Sequence, residues 1–209
     1  MTGTLLFDLD GTLVDSLPDI AASTNYLRQH FDLPPLRLEQ VGALVGDGLA
    51  ALLQKALGDH PEAKLAAASI IYQDHHAQQC TELVVPFPGV REHLSHWHSE
   101  GRRLGVVTNK PVKFALRVLE HLNLTTFLPV VIGGDSTLAH KPDPQPVIEA
   151  LAQLGGQAND AMMVGDSPAD LLAGRAAGVR TAAVLYGYRS EAVLRNVGAD
   201  EYWQQFGSA

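Results

Sequence analysis

Thr4-Leu5-Leu6-Phe7-Asp8-Leu9-Asp10-Gly11-Thr12 is the stretch whose reading organises the rest of the chain. Its first four residues are apolar or β-branched, as in a strand buried on both faces. Residues two apart in a strand project on the same side, so Asp8 and Asp10 can face one point beyond the strand's end. Gly11 lets the chain turn away there without a Cβ clash. Open α/β sheets bind ligands at the carboxyl ends of their strands, so this carboxylate pair predicts a site as well as a fold.

Outward from this strand, similar short apolar runs recur at Leu104–Thr108, Pro129–Gly133, Ala161–Gly165 and Thr181–Leu185. Helical periods lie between them. Val90, Leu94 and Trp97 are spaced i, i+4, i+7, and Ala115, Val118, Leu119 and Leu122 follow i, i+3, i+4, i+7. A further helix is predicted over Gln145–Leu154, with Gly155 suited to its C-cap. Continuous apolar strands alternating with helices define an α/β class: a doubly wound, Rossmann-like parallel sheet covered on both faces.

Between the first two strands the rhythm changes to helices alone. Ile20, Thr24, Leu27 and Phe31 form one stripe, and Leu49, Leu52, Leu53, Ala56 and Leu57 another, closed by Gly58. A third helix is expected over Ala63–Thr81. So long an excursion does not suit a loop in a compact domain. Residues 16–85 are therefore expected to form an inserted helical cap, with residues 1–15 and 86–209 making the catalytic core. The crossings at Val14–Leu17 and Val85–Pro88 make a natural hinge, stiffened by Pro86 and Pro88.

The composition agrees with a soluble globular protein: 46% hydrophobic and 18% charged over 209 residues. A net charge of −8 argues against nucleic acid, which requires clustered Lys and Arg. For small anions, local charges decide, because salt screens beyond about 8 Å. Cys80 is the only cysteine, which leaves no disulfide framework. The N-terminal MTGTLLFDLD does not read as a signal peptide, and no apolar run approaches the roughly 20 residues of a membrane span. A cytoplasmic location without membrane partners is the expectation.

The chemistry-bearing residues converge on one sheet edge. Thr108-Asn109-Lys110 ends the second core strand, Gly165-Asp166-Ser167 ends a later one, and His140-Lys141-Pro142-Asp143-Pro144 lies in the loop after Gly133. Phosphoryl transfer needs a nucleophile, a proton donor for the leaving alcohol, cancellation of phosphate charge, and positioning. Asp8 and Asp166 offer oxygen ligands suited to Mg²⁺. Lys141 adds positive charge, and the Thr108 hydroxyl can hold a phosphate oxygen. If Asp8 attacks while ionised, Asp10 can carry the proton for the leaving oxygen.

DLDGT at 8–12, Thr108, Lys141 within HKPDP and GDSPAD at 165–170 resemble, in order and spacing, the four signature motifs of the haloacid dehalogenase superfamily. The resemblance implies that Asp8 forms an aspartyl-phosphate and Asp10 is the general acid/base. It implies that Thr108 and Lys141, with Asn109 beside them, bind phosphate. Asp8, the Asp10 backbone carbonyl and Asp166 would ligate Mg²⁺, with Asp170 supporting through water. The insert is placed like a mobile cap of the C1 type. Within the superfamily, VGDGLAALLQKAL at 45–57, VPFPGV at 85–90, KPDPQP at 141–146 and YGY at 186–188 resemble phosphoglycolate phosphatases.

Competing readings are weaker. A calcium loop counted from Asp8 would need Gly at its sixth position and Glu at its twelfth, where Leu13 and Asp19 stand. Ser167, Pro168 and Asp170 also read as a capping box with Pro at the first helical position, a role compatible with a site role for Asp170. His93, His96 and His98 read as a solvated helix face, and His75, His76 and Cys80 match no ligand pattern. Gly46 and Asp47 precede an apolar helix and are read as a specificity loop over the substrate. A small phosphorylated metabolite is the expected partner, with 2-phosphoglycolate first. Other sugar phosphates, pyrophosphate, nucleoside monophosphates and a β-phosphoglucomutase-like isomerisation remain as alternatives. A non-catalytic scaffold protein would be expected to lack one of Asp8, Asp10, Lys141 or Asp166. Nothing in the pattern reads out an oligomeric state.

Overall fold

The computed structural model describes residues 3–58 and 62–208, with side chains from Leu65 onward in the second stretch. Strand β1 (Thr4–Phe7) is buried throughout and lies in the middle of the main sheet. The chain then forms β2 (Val14–Asp15), helices α1 (Leu17–His30), α2 (Leu38–Gly42), α3 (Leu49–Leu57) and α4 (Glu62–Gln79), and β3 (Val85–Pro86). From there strand and helix alternate: α5 (Val90–Ser99), β4 (Arg103–Val107), α6 (Val112–His121), β5 (Val130–Ile132) and α7 (Gln145–Leu154). Strand β6 (Ala161–Gly165), α8 (Pro168–Ala176), β7 (Arg180–Val184), α9 (Glu191–Val197) and β8 (Glu201–Trp203) complete the described part.

The six-stranded sheet has the order β5-β4-β1-β6-β7-β8 with every pairing parallel. From β1 the main-sheet strands continue to one side through β4 and β5, then return to the other side through β6. That reversal opens a crevice at the carboxyl end of β1. Val90, Leu94 and Trp97 of α5 pack with α6 on one face, beside Phe7, Leu104 and Trp203. Val147, Ala150 and Leu151 of α7 pack with Leu6, Val107 and Met163 on the other. The sheet is thus an α/β, doubly wound architecture. Gly155 closes α7 at φ 64°, in the left-handed conformation expected of its C-cap.

The helices α1–α4 gather around an apolar cluster of their own, including Ile20, Leu27, Val41, Leu53, Leu57 and Tyr72. At the crossings between the sheet and these helices β2 pairs antiparallel with β3 through Val14↔Pro86 and Asp15↔Val85, a short ribbon the sequence reading did not specify. Short α2 and edge strand β8 carry too few residues for a periodicity to register. The Asp19 carboxylate, fully buried in the first turn of α1, accepts hydrogen bonds from the backbone N–H of Leu83 and Val84, at 3.0 Å for Val84. It ties the beginning of the insert to its end. Among the described residues no helix is long and apolar enough to cross a membrane.

Candidate active site

The end of β1 delivers Asp8, which is 7% exposed, into the crevice. Beneath it the Lys141 ammonium, from the loop between β5 and α7, donates to Asp8 Oδ1 at 2.8 Å and to Asp170 Oδ1 at 2.6 Å. It also donates to the Val107 carbonyl at the end of β4. All three N–H groups of the lysine are therefore used. Burial works against this ammonium, but Asp170 and then Asp8 outweigh it and hold its pKa above the ordinary lysine value.

Asp170 spends its other oxygen on the start of α8, where Ser167 donates its backbone N–H at 2.9 Å and its hydroxyl at 2.7 Å. The capping box is present and serves the site at once: the carboxylate that satisfies the helix N-terminus also steers Lys141. Asp166 precedes it and accepts from the Tyr188 N–H at 2.7 Å. Gly11 and Gly187 bracket this carboxylate closely. A Cβ on Gly11 would stand 2.4 Å from Asp166 Oδ2, and one on Gly187 2.3 Å from Asp166 Cβ.

Ligand atoms of Asp8, Asp166 and Asp170 lie within 4.8 Å of one another, all buried. Burial lifts the Asp8 carboxyl to about 6 despite the opposing Lys141 charge. Burial, followed by Asp8 and Asp170, holds Asp166 well above the usual carboxylate range. One ammonium faces three carboxylates, so the cluster has residual negative charge and unspent oxygen atoms. Such a hard, oxygen-only donor set fits a small divalent cation.

Asp10, two residues along, is fixed from two sides. Lys110 Nζ donates to its Oδ1 at 2.9 Å and lies 3.1 Å from Oδ2, and Ser16 Oγ donates to Oδ1 at 2.5 Å. Thr108, at the end of β4, accepts the Lys110 N–H on its Oγ1 at 3.2 Å. Asn109 turns its side chain to backbone partners. It donates to the Lys141 carbonyl at 2.8 Å and to the Gly46 carbonyl at 2.9 Å, and accepts the Lys141 N–H at 2.9 Å.

The fold thus brings Asp8, Asp10, Thr108, Lys141, Asp166 and Asp170 to one place. Gly46 reaches the rim through its carbonyl and lines the cavity, whereas Asp47 points outward to Lys55 at 2.5 Å and is half exposed. Lys110, Ser16 and Tyr188 are additional members. Tyr188 accepts the N–H groups of Ser16 and Leu17 on its hydroxyl, at 2.9 and 3.1 Å, where β2 passes into α1. Lys110 carried a signal, since it directly follows Thr108-Asn109 at a strand end. Tyr188 carried only its place in YGY. Among the other histidines, His93 packs against Trp97, while His96 faces Glu100 at 3.3 Å on the surface.

Residues 5–184 match the profile of the haloacid dehalogenase-like hydrolases. The chain belongs to this family. A phosphoglycolate phosphatase of Chromobacterium violaceum is 38% identical over 199 residues, spanning 93% of this chain and 88% of its own. An N-acetylmuramic acid 6-phosphate phosphatase of Pseudomonas aeruginosa is 37% identical, over 88% of this chain and 82% of its own. A crystal structure from Haemophilus somnus, described as a predicted phosphoglycolate phosphatase, superposes with a TM-score of 0.91 at 28% identity. That match covers 98% of this chain and 94% of the other.

Proposed function

We propose that this phosphomonoester hydrolase works through Asp8 as a covalent nucleophile, with Mg²⁺ at the carboxylate cluster and 2-phosphoglycolate as its substrate. The observation that carries the mechanism is the buried arrangement of Asp8 between Lys141 and the Asp166–Asp170 pair. Asp8, Asp166 and the Asp10 backbone carbonyl would hold the ion, with Asp170 behind them. Bound there, Mg²⁺ supplies countercharge that lets an anionic carboxylate meet a phosphate dianion.

The residues divide the remaining work. Lys141 occupies Asp8 Oδ1 and so leaves Oδ2 to attack phosphorus. The Thr108 hydroxyl, accepting an N–H already, keeps its own proton for a phosphate oxygen. Asp10, held by Ser16 and Lys110, gives a proton to the leaving alkoxide as the P–O ester bond breaks and the aspartyl-phosphate forms. Its carboxylate then takes a proton from water, whose oxygen attacks phosphorus and releases phosphate and free Asp8. Asn109 acts on phosphate indirectly, by fixing the Lys141 backbone. Residues 16–85 serve as the cap that excludes bulk water, swinging on β2 and β3, and residues 1–15 and 86–209 as the core.

A mutase would need cationic side chains on the cap to hold a second phosphate. The cap-side lining comprises Ile20, Val45, Leu49, Leu52, Tyr72 and His76 with two glycines, and among the described residues none is Lys or Arg. Phosphate release from a Mg²⁺-supplemented panel of phosphomonoesters tests the reading. Phosphoglycolate should lead the panel, and Asp8→Asn should lose both turnover and acid-stable phosphate incorporation. Full activity in Asp8→Asn would contradict the mechanism.

A further inference from the structure

The segment that follows α2 forms part of the wall beside the nucleophile. Val45, Gly46, Gly48 and Leu49 line the same cavity as Asp8 and Thr108. Within the segment, the Leu44 and Val45 amides turn back onto the Val41 and Gly42 carbonyls at 2.8 and 3.3 Å. Gly46 and Gly48 stand at φ 116° and 87°, where a side chain would be strained. A stretch of two tight turns and two such glycines does not hold its place by local structure alone.

Donors from the sheet side hold it instead. Arg189, half-buried in the loop after β7, donates from Nη1 to the Gly42 carbonyl at 2.9 Å and from Nη2 to the Val45 carbonyl. Asn109, after β4, donates to the next carbonyl, that of Gly46, at 2.9 Å. Two successive carbonyls of the segment are thus taken by two different strand-end loops. Arg189 also meets Gly42, one of the carbonyls that a helix end leaves without an intrahelical partner. Gly46 packs into this grip: a Cβ there would stand 3.5 Å from Arg189 Nη2 and 3.8 Å from Ser167 Cβ. The preceding residue, Tyr188, donates its N–H to Asp166 Oδ2 at 2.7 Å. The main chain that carries Arg189 is therefore itself fixed on the carboxylate cluster.

We propose that Arg189 is a positioning residue for the reaction. Its forked grip on Gly42 and Val45 seats residues 42–48 against the sheet, and so sets the pocket wall that the leaving group of the substrate meets. The inference rests on the phosphatase reading above, with residues 16–85 as its cap. Arg189 acts through the segment and does not line the cavity itself. Without the guanidinium, Asn109 still holds Gly46, but Val45 and the end of α2 lose their partner and the wall can withdraw. The wall meets the substrate before and during bond breaking alike, so the loss falls on KM rather than on kcat.

The test compares 2-phosphoglycolate with p-nitrophenyl phosphate, in Mg²⁺, for wild type, Arg189→Met and Arg189→Lys. Nitrophenolate leaves without a proton and asks little of the wall. Arg189→Met should raise KM for phosphoglycolate about 10- to 100-fold, the worth of a lost hydrogen bond to a charged group, with kcat and the nitrophenyl reaction nearly unchanged. Arg189→Lys lacks the planar fork, reaches one carbonyl and should fall between. Hydrogen exchange over residues 42–48, read by mass spectrometry, should quicken in Arg189→Met while circular dichroism matches wild type. Unchanged exchange, an unchanged KM, or an equal fall in kcat on both esters would overturn the inference and leave the phosphatase reading standing. If wild type hydrolyses only the nitrophenyl ester, 2-phosphoglycolate is the wrong substrate and the exchange comparison alone decides on Arg189. If it hydrolyses neither, both readings fall.

Discussion

Replacing Lys141 with Met removes one charge and keeps most of the side-chain volume. The lysine is 2% exposed and donates to Asp8, Asp170 and the Val107 carbonyl. Loss of the ammonium leaves two buried carboxylates without their cation, a change that costs about 3–5 kcal/mol when one partner of a buried pair is deleted. For a chain of this size that corresponds to a fall in Tm of roughly 6–20 °C. The cost should depend on pH. Asp8 already has its pKa raised to about 6, and Lys141 is the largest influence opposing that rise. Without Lys141 the Asp8 carboxyl moves higher still, so at pH 5 it is protonated and the uncompensated charge is relieved. Thermal unfolding of wild type and Lys141→Met, in EDTA at pH 7 and pH 5, should therefore show the larger gap at pH 7. A shift below about 2 °C, or equal shifts at both pH values, would refute the view that Lys141 neutralises the cluster.

Metal and pH should act on the same carboxylates. Folded Asp8 has a pKa of about 6 against an ordinary 3.8, and Asp166 moves in the same direction. Protons bound by the folded chain between roughly pH 4 and 6 are lost on unfolding, so this contribution is full below about pH 4 and disappears as pH rises through 6. Mg²⁺ favours the ionised carboxylates, so the Tm difference between Mg²⁺ and EDTA should be larger at pH 7 than at pH 5; an equal difference would remove these groups from the ion's site. Tyr188→Phe deletes the acceptor of the Ser16 and Leu17 N–H groups. Urea unfolding should show a loss of about 1–3 kcal/mol, and an unchanged midpoint would mean that these two amides find another acceptor.

Much of the fold was legible because burial on both faces leaves a local mark. The strands around Phe7, Val107 and Val164 are continuous apolar runs, and α6 shows its stripe at Ala115, Val118 and Leu119. The motif residues were legible because their order along the chain is itself a signature. Partnerships across the fold were not. Lys110 meets Asp10 across 100 positions and Tyr188 meets Ser16 across 172, and no local period records either contact. Asn109 shows the same boundary: it lines the cavity, and its amide is engaged with the backbone of two loops, a partnership that residue type and place do not record.

The buried Asp19 carboxylate has a consequence for how this architecture can vary. By gripping the N–H groups of Leu83 and Val84, it returns the chain to the point from which it left. Lengthening a closed excursion costs only about 0.6 kcal/mol per doubling, and here the closure is made inside the insert rather than by the sheet. The sheet therefore meets the same two chain ends whatever number of helices lies between them. Evolution, or a protein engineer, can enlarge, trim or exchange the inserted unit as a cassette while the carboxylates at the sheet edge keep their geometry.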